Sequence, residues 1–206
     1  IVISEIEFLK SLSRRNLICG FAEILKHSLI HDSNFFKFLN KNAENIIEKI
    51  DTRIIRNVIT KSCKIKLHFV NKDEKEKNKR MILNFGHTFA HGIEAASNYS
   101  GKINHGEAVL MGMILATKLS ARKKICSQET LNKIQSIYEI NNLPRNLKAF
   151  FSKKGLDKVV DFMKVDKKNY DSKINLILLK RIGKTTEPGN FKMSVKEIKN
   201  IIKKIS

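Results

Sequence analysis

Cysteine is scarce in this chain. Cys19, Cys63 and Cys126 lie far apart and make no C-x-x-C. A disulfide framework is therefore not expected, a reducing cytoplasm fits, and the three are expected to serve as small buried hydrophobes. Long apolar runs are missing too: none approaches the roughly 20 residues that span a bilayer. Glycine occurs nine times, yet no G-x-G-x-x-G follows a strand pattern, which removes the usual dinucleotide-binding turn. No internal repeat and no linker rich in Pro, Gly or Ser interrupts the 206 residues, so one mostly helical domain is expected. Ile1-Val2-Ile3 runs straight into Ser4-Glu5 without the form of a secretory leader. The chain opens on Ile and is expected to be a piece of something longer.

Acidic residues are in short supply as well, 20 against 40 basic, for a net charge of +20. The excess is mostly Lys, spread with Ile and Asn along the whole chain. Its few aromatics are not interleaved with the basic residues as a single-strand binder requires. Nucleic acid is therefore not the expected partner, and no membrane is. A positive field suits an anionic small molecule.

What is present is helical periodicity. Ser4-Glu5-Ile6-Glu7 has the form of a capping box ahead of a short helix with Phe8, Leu9 and Leu12. Leu17, Phe21, Ile24, Leu25 and Leu29 predict a helix over 14–30, with His27 and His31 on its polar face. Asp32 stops it and leads into a helix over 35–49; Asp51 and Thr52 cap another over 53–70. The charged run 71–79 predicts a solvated loop, with Asn78 suited to a left-handed backbone. Further helices are predicted over 80–97, 105–122 and 127–140, with two weaker ones up to 165. The segment 108–122 is apolar nearly all round, which marks a central helix. Residues 173–179 predict a strand and 185–191 a loop. Ser194 and Glu197 form a capping box for a last helix. The fold class is thus mainly α, a multi-helical domain over 1–206 with a small β element near the C-terminus.

Chemistry concentrates in residues 80–112, which hold His87, His91 and His105, three of the six histidines. His87 and His91 stand four apart, on one helix face and about 6 Å apart along the axis. His105 follows one short loop later, at the head of the next helix. Histidines gathered this way suit a metal or acid–base site, although an H-x-x-x-H pair alone is more often a plain polar face. H-T-F-A-H lacks the acid of H-E-x-x-H, which excludes the zinc-protease reading. Glu23 and Lys26, three apart, read alone as a surface ion pair.

L-N-F-G-H-T-F-A-H-G-I-E at 83–94, H-G-E-A-V at 105–109 and G-M at 112–113 together resemble the 3-dehydroquinate synthase family of the shikimate pathway. The resemblance extends in order through G-F-A-E-I-L-K at 20–26, L-I-H-D at 29–32, Lys66, D-E-K-E at 73–76, Arg80, D-K-K at 166–168 and I-N-L-I-L at 174–178. It covers nearly the whole chain but only the family's C-terminal half; the N-terminal NAD-binding domain has no counterpart here. It implies that Glu23, His87 and His105 hold zinc or cobalt. It implies that Lys26, Lys66, Arg80, Asn84 and His91 do catalytic or substrate-binding work, and that Lys167 or Lys168 reaches the substrate. It further implies conversion of 3-deoxy-D-arabino-heptulosonate 7-phosphate to 3-dehydroquinate and phosphate, in a cytoplasmic homodimer when full length. Without the NAD domain this piece is expected to be inactive. The family usually reads G-H-T-x-G-H-A-I-E; here Ala90 and Gly92 exchange the small residues. The exchange predicts crowding at Ala90 and up to about 1 kcal/mol of lost helix propensity at Gly92. Another sugar-phosphate cyclase, or a non-catalytic basic helical binding module, is the competing reading.

Overall fold

Side-chain caps set most of the helix starts. Ser13, Asp32, Asp51, Ser127 and Ser194 each accept a hydrogen bond from a first-turn backbone N–H, filling donors that a helix leaves orphaned. They open α1 (Arg14–His31), α2 (Ser33–Ile47), α3 (Thr52–Lys72), α6 (Gln128–Ile140) and α8 (Val195–Ile205). Between α3 and α6 lie a 3-10 turn (Lys79–Asn84), α4 (His87–Ala96) and α5 (His105–Arg122). After α6 come a short 3-10 turn (Leu147–Ala149) and α7 (Lys153–Val165). This computed structural model describes residues 3–165 and 173–206. Two small antiparallel pairs lie ahead of α8: β1 (Lys173–Asn175) with β4 (Lys192–Ser194), and β2 (Leu179–Arg181) with β3 (Lys184–Thr185). The fold is mainly α, as expected.

Helix α5 is the axis of the core. Every residue from Ala108 to Thr117 is buried, and α1, α4, α6 and α8 all pack on it. Tyr138 of α6, fully buried, donates its hydroxyl to the Leu110 carbonyl at 2.8 Å. Helix α4 is held between α5 and α7. A Cβ on Gly112 would lie 2.1 Å from the Gly86 carbonyl oxygen, and one on Gly92 would lie 2.4 Å from the Val159 carbonyl oxygen. Gly92, whose helix propensity is poor, is what lets α7 come this close. Ala90 is fully buried at the same α4–α5 contact.

Several expectations need correction. The first segment is a 3-10 turn, Ile6–Ser11, capped by Glu5 rather than Ser4. The histidine helix begins at His87, not near residue 80, because Gly86 takes φ 81° and breaks the chain direction just before it. Asn78 has φ −144°, and the left-handed residue in that loop is Glu76, φ 53°. The single strand predicted over 173–179 is two, because the backbone N–H groups between them find other acceptors. Leu176 donates to the Phe191 carbonyl at 2.9 Å and Leu178 to the Thr186 hydroxyl at 3.1 Å. His27 is buried, not on a polar face. Of the cysteines Cys126 is buried, Cys19 half-buried and Cys63 exposed. Among the described residues no helix is long and apolar enough to cross a membrane.

Candidate metal centre

Three elements deliver three ligand-type side chains to one point. Glu23 projects from the middle of α1, His87 is the first residue of α4, and His105 is the first residue of α5. One ligand-capable atom from each lies within 4.8 Å of the others. The turn at Gly86 and the cap at Asn104 start two helices side by side, which is why two histidines 18 positions apart meet, with ring centroids 5.6 Å apart.

Each imidazole is tied at its far nitrogen. His87 Nδ1 contacts the Phe85 carbonyl at 3.4 Å, and His105 Nδ1 contacts the Glu94 carboxylate at 3.1 and 3.2 Å. A nitrogen facing a carbonyl or carboxylate carries the proton, so Nε2 presents its lone pair. Burial, then the charge of Lys26, pushes the His87 pKa down to about 3, which keeps the ring neutral near pH 7. Its Nε2 sits 3.5 Å from Glu23 Oε1, and that buried oxygen has no hydrogen-bond partner. A carboxylate oxygen facing an imidazole lone pair at this distance calls for a cation between them. Tetrahedral zinc with bonds of roughly 2.05 Å would hold such a pair about 3.3 Å apart. The donor set therefore fits a divalent metal.

Glu23 Oε2 accepts from Lys26 Nζ at 2.8 Å. The pair is not the surface bridge that spacing alone suggests, because the Lys26 side chain is only 3% exposed. Burial would raise the Glu23 pKa, but Lys26 and His87 outweigh it and the carboxyl stays low. Burial also lowers the Lys26 pKa, against the pull of Glu23. His91 lies one turn beyond His87 with its ring 5.9 Å away. Lys66, exposed on α3, presses on Lys26 and His27 with its charge.

Arg80 and Asn84 sit in the 3-10 turn that leads into α4. The charged run before them is organised around Asp73, which accepts from the backbone N–H groups of Lys77, Asn78 and Arg80 at 3.0, 2.6 and 3.1 Å. Arg80 donates Nη1 to the Glu74 carbonyl at 2.7 Å, and Asn84 donates Nδ2 to Glu76 at 2.8 Å. Lys167 and Lys168 lie outside the described residues. Sequence reasoning gave no role to Glu94, although it stands on the same predicted face as His87 and His91. It also missed Asp73, where an Asp at a helix C-terminus ahead of a polar run was the available signal.

The family model for the 3-dehydroquinate synthase C-terminal domain matches residues 20–169. The 3-dehydroquinate synthase of Pelagibacter ubique is 49% identical over 183 residues, 89% of this chain and 50% of that protein. The 3-dehydroquinate synthase of Dictyoglomus thermophilum is 40% identical over 207 residues, 98% of this chain and 54% of that protein. This chain thus spans about half the length of these curated relatives. Among solved structures, 2-epi-5-epi-valiolone synthase from Streptomyces hygroscopicus, with NAD+ and Zn2+ bound, overlaps at a TM-score of 0.83 and 22% identity, covering 98% of this chain and 54% of that one. A 2-deoxy-scyllo-inosose synthase complexed with carbaglucose-6-phosphate, NAD+ and Co2+ overlaps at 0.75 and 24% identity, covering 98% and 55%. At such identities these two speak for the fold.

Proposed function

Because this chain belongs to the 3-dehydroquinate synthase family, we propose that it is the metal- and substrate-binding half of an enzyme that converts 3-deoxy-D-arabino-heptulosonate 7-phosphate to 3-dehydroquinate and phosphate. The observation that carries this reading is the meeting of Glu23, His87 and His105 within 4.8 Å, next to a buried lysine. Zinc or cobalt held by these three would supply Lewis-acid polarisation of a substrate hydroxyl. NAD, bound mainly by a domain outside this chain, would supply hydride exchange.

The chain's own groups do the rest. Lys26 holds the Glu23 carboxylate in place and brings a second cation to the cleft. Lys66, Arg80 and Asn84 offer N–H donors suited to the carboxylate and phosphate of the substrate, and Lys167 or Lys168 adds another. His91, beside His87, carries a ring nitrogen that can accept or return a proton at the cleft. Positioning one conformer between these groups accounts for much of the rate. The net charge of +20 favours capture of a multiply anionic substrate, not of nucleic acid. The full-length protein is a homodimer in the cytoplasm on this reading.

The test is a substrate panel with full-length protein, NAD and zinc or cobalt, read by phosphate release. Turnover of the heptulosonate phosphate is expected. Turnover of another sugar phosphate alone would shift the assignment to a different cyclase. The 206 residues by themselves should give no turnover.

A further inference from the structure

Four residues of α1 at a spacing of four, Arg15, Cys19, Glu23 and His27, lie along one face of that helix. Three of them meet the first turn of α5 or the site it serves. Glu23 faces the metal centre with His105. Cys19 backs directly onto Gly106, where an added Cβ would lie 2.3 Å from the Cys19 Cα. Arg15 grips Glu107 with two prongs, Nε to Oε1 at 2.7 Å and Nη2 to Oε2 at 2.6 Å. The same Nη2 donates to the Lys102 carbonyl at 2.7 Å. Glu107 in turn accepts from the Asn104 backbone N–H at 2.7 Å. Gly106 and Glu107, the two residues after His105, are thus fastened to α1. His105 itself is the most exposed of the three ligand-type residues, its side chain 54% accessible against 37% for Glu23 and 14% for His87. Its ring is otherwise held by Glu94.

We infer that Arg15 is a positioning residue for the metal centre: its two-pronged bond to Glu107 sets where His105 stands opposite Glu23. The inference rests on the metal-site reading above. A planar guanidinium can make this paired contact and an ammonium cannot. Arg14, one residue away, supplies the control. Its side chain is as exposed as that of Arg15, and it pairs with Glu48, itself more exposed than Glu107, at 2.7 Å and away from the centre.

The experiment is titration of the metal-free full chain with Co2+, followed by its visible absorption and by zinc competition. Arg15→Lys and Arg15→Met should each weaken affinity by about tenfold or more and alter the Co2+ spectrum. Arg14→Met should leave both unchanged. The swap Arg15→Glu with Glu107→Arg should recover part of the loss. Affinity and spectrum within twofold of the parent in folded Arg15→Lys would overturn the inference, as would an equal loss in Arg14→Met. If the parent chain itself takes up no stoichiometric Co2+, the metal-site reading beneath it falls instead.

Discussion

Two of the close histidine pairs among the described residues invite comparison, and only one belongs to the candidate metal centre. His31 and His68, at the ends of α1 and α3, have ring centroids 4.7 Å apart, closer than the 5.6 Å of His87 and His105. Proximity is therefore not what distinguishes them. His31 and His68 are exposed, and the nearby acid is already engaged. Asp32 caps α2 through the Phe35 N–H at 2.9 Å and pairs with Lys61 at 2.7 Å. At the other pair, Glu23 keeps a buried oxygen unpartnered, and the Nδ1 of each ring is anchored. Among the described residues only Glu23, His87 and His105 bring three such donors together. A carboxylate with one oxygen left unpartnered and two anchored rings make the difference, more than the imidazoles themselves.

The strongest way to break this contrast is His87→Ala. We expect it to abolish stoichiometric zinc or cobalt binding, measured by elemental analysis after dialysis; one retained ion per chain would end the distinction. A smaller effect concerns burial. Burial pushes the His27 pKa down to about 4, whereas an unfolded histidine titrates near 6.5. Between those values the unfolded chain binds the extra proton, so stability falls as pH drops from about 6.5 to 4. The loss for this one group is on the order of 3 kcal/mol. Urea midpoints of metal-free protein should show it, and His27→Gln should flatten the slope. Next comes Glu94→Gln, which leaves His105 in place but weakens its anchor. Metal affinity should drop by about 10- to 100-fold in a zinc competition assay. The smallest change is expected from His31→Ala combined with His68→Ala, whose metal content should match the parent.

The sequence made the helices legible wherever polar caps met a periodic apolar face. Asp32, Asp51 and the Ser194–Glu197 box all mark starts that the structure shares. Local pattern failed where a long-range partner decides. His27 reads as polar until Ser62, 35 residues on, is found 2.6 Å from its Nδ1. Lys26 reads as a surface lysine, yet the fold leaves only 3% of its side chain exposed. The ligand-type set could be named only through family likeness, since no spacing rule links Glu23 to His87 across more than sixty residues. Asp73 and Glu94 stayed silent because their roles consist of backbone and ring nitrogens brought to them by the fold.

The face of α1 that carries Arg15, Cys19 and Glu23 also governs where the chain tolerates length changes. One residue inserted between Arg15 and Glu23 would turn the upstream part by about 100° and shift it by 1.5 Å, moving the Arg15 fork off Glu107. The loop from Asn98 to Gly101 is different. It is exposed and already uses left-handed backbone at Asn98, Tyr99 and Gly101. Extra residues there add little closure cost, because the grip on Glu107 re-establishes the position of α5 after them. Insertions should therefore accumulate in that loop and be purged from the helix opposite, although both lie within a few residues of the same centre.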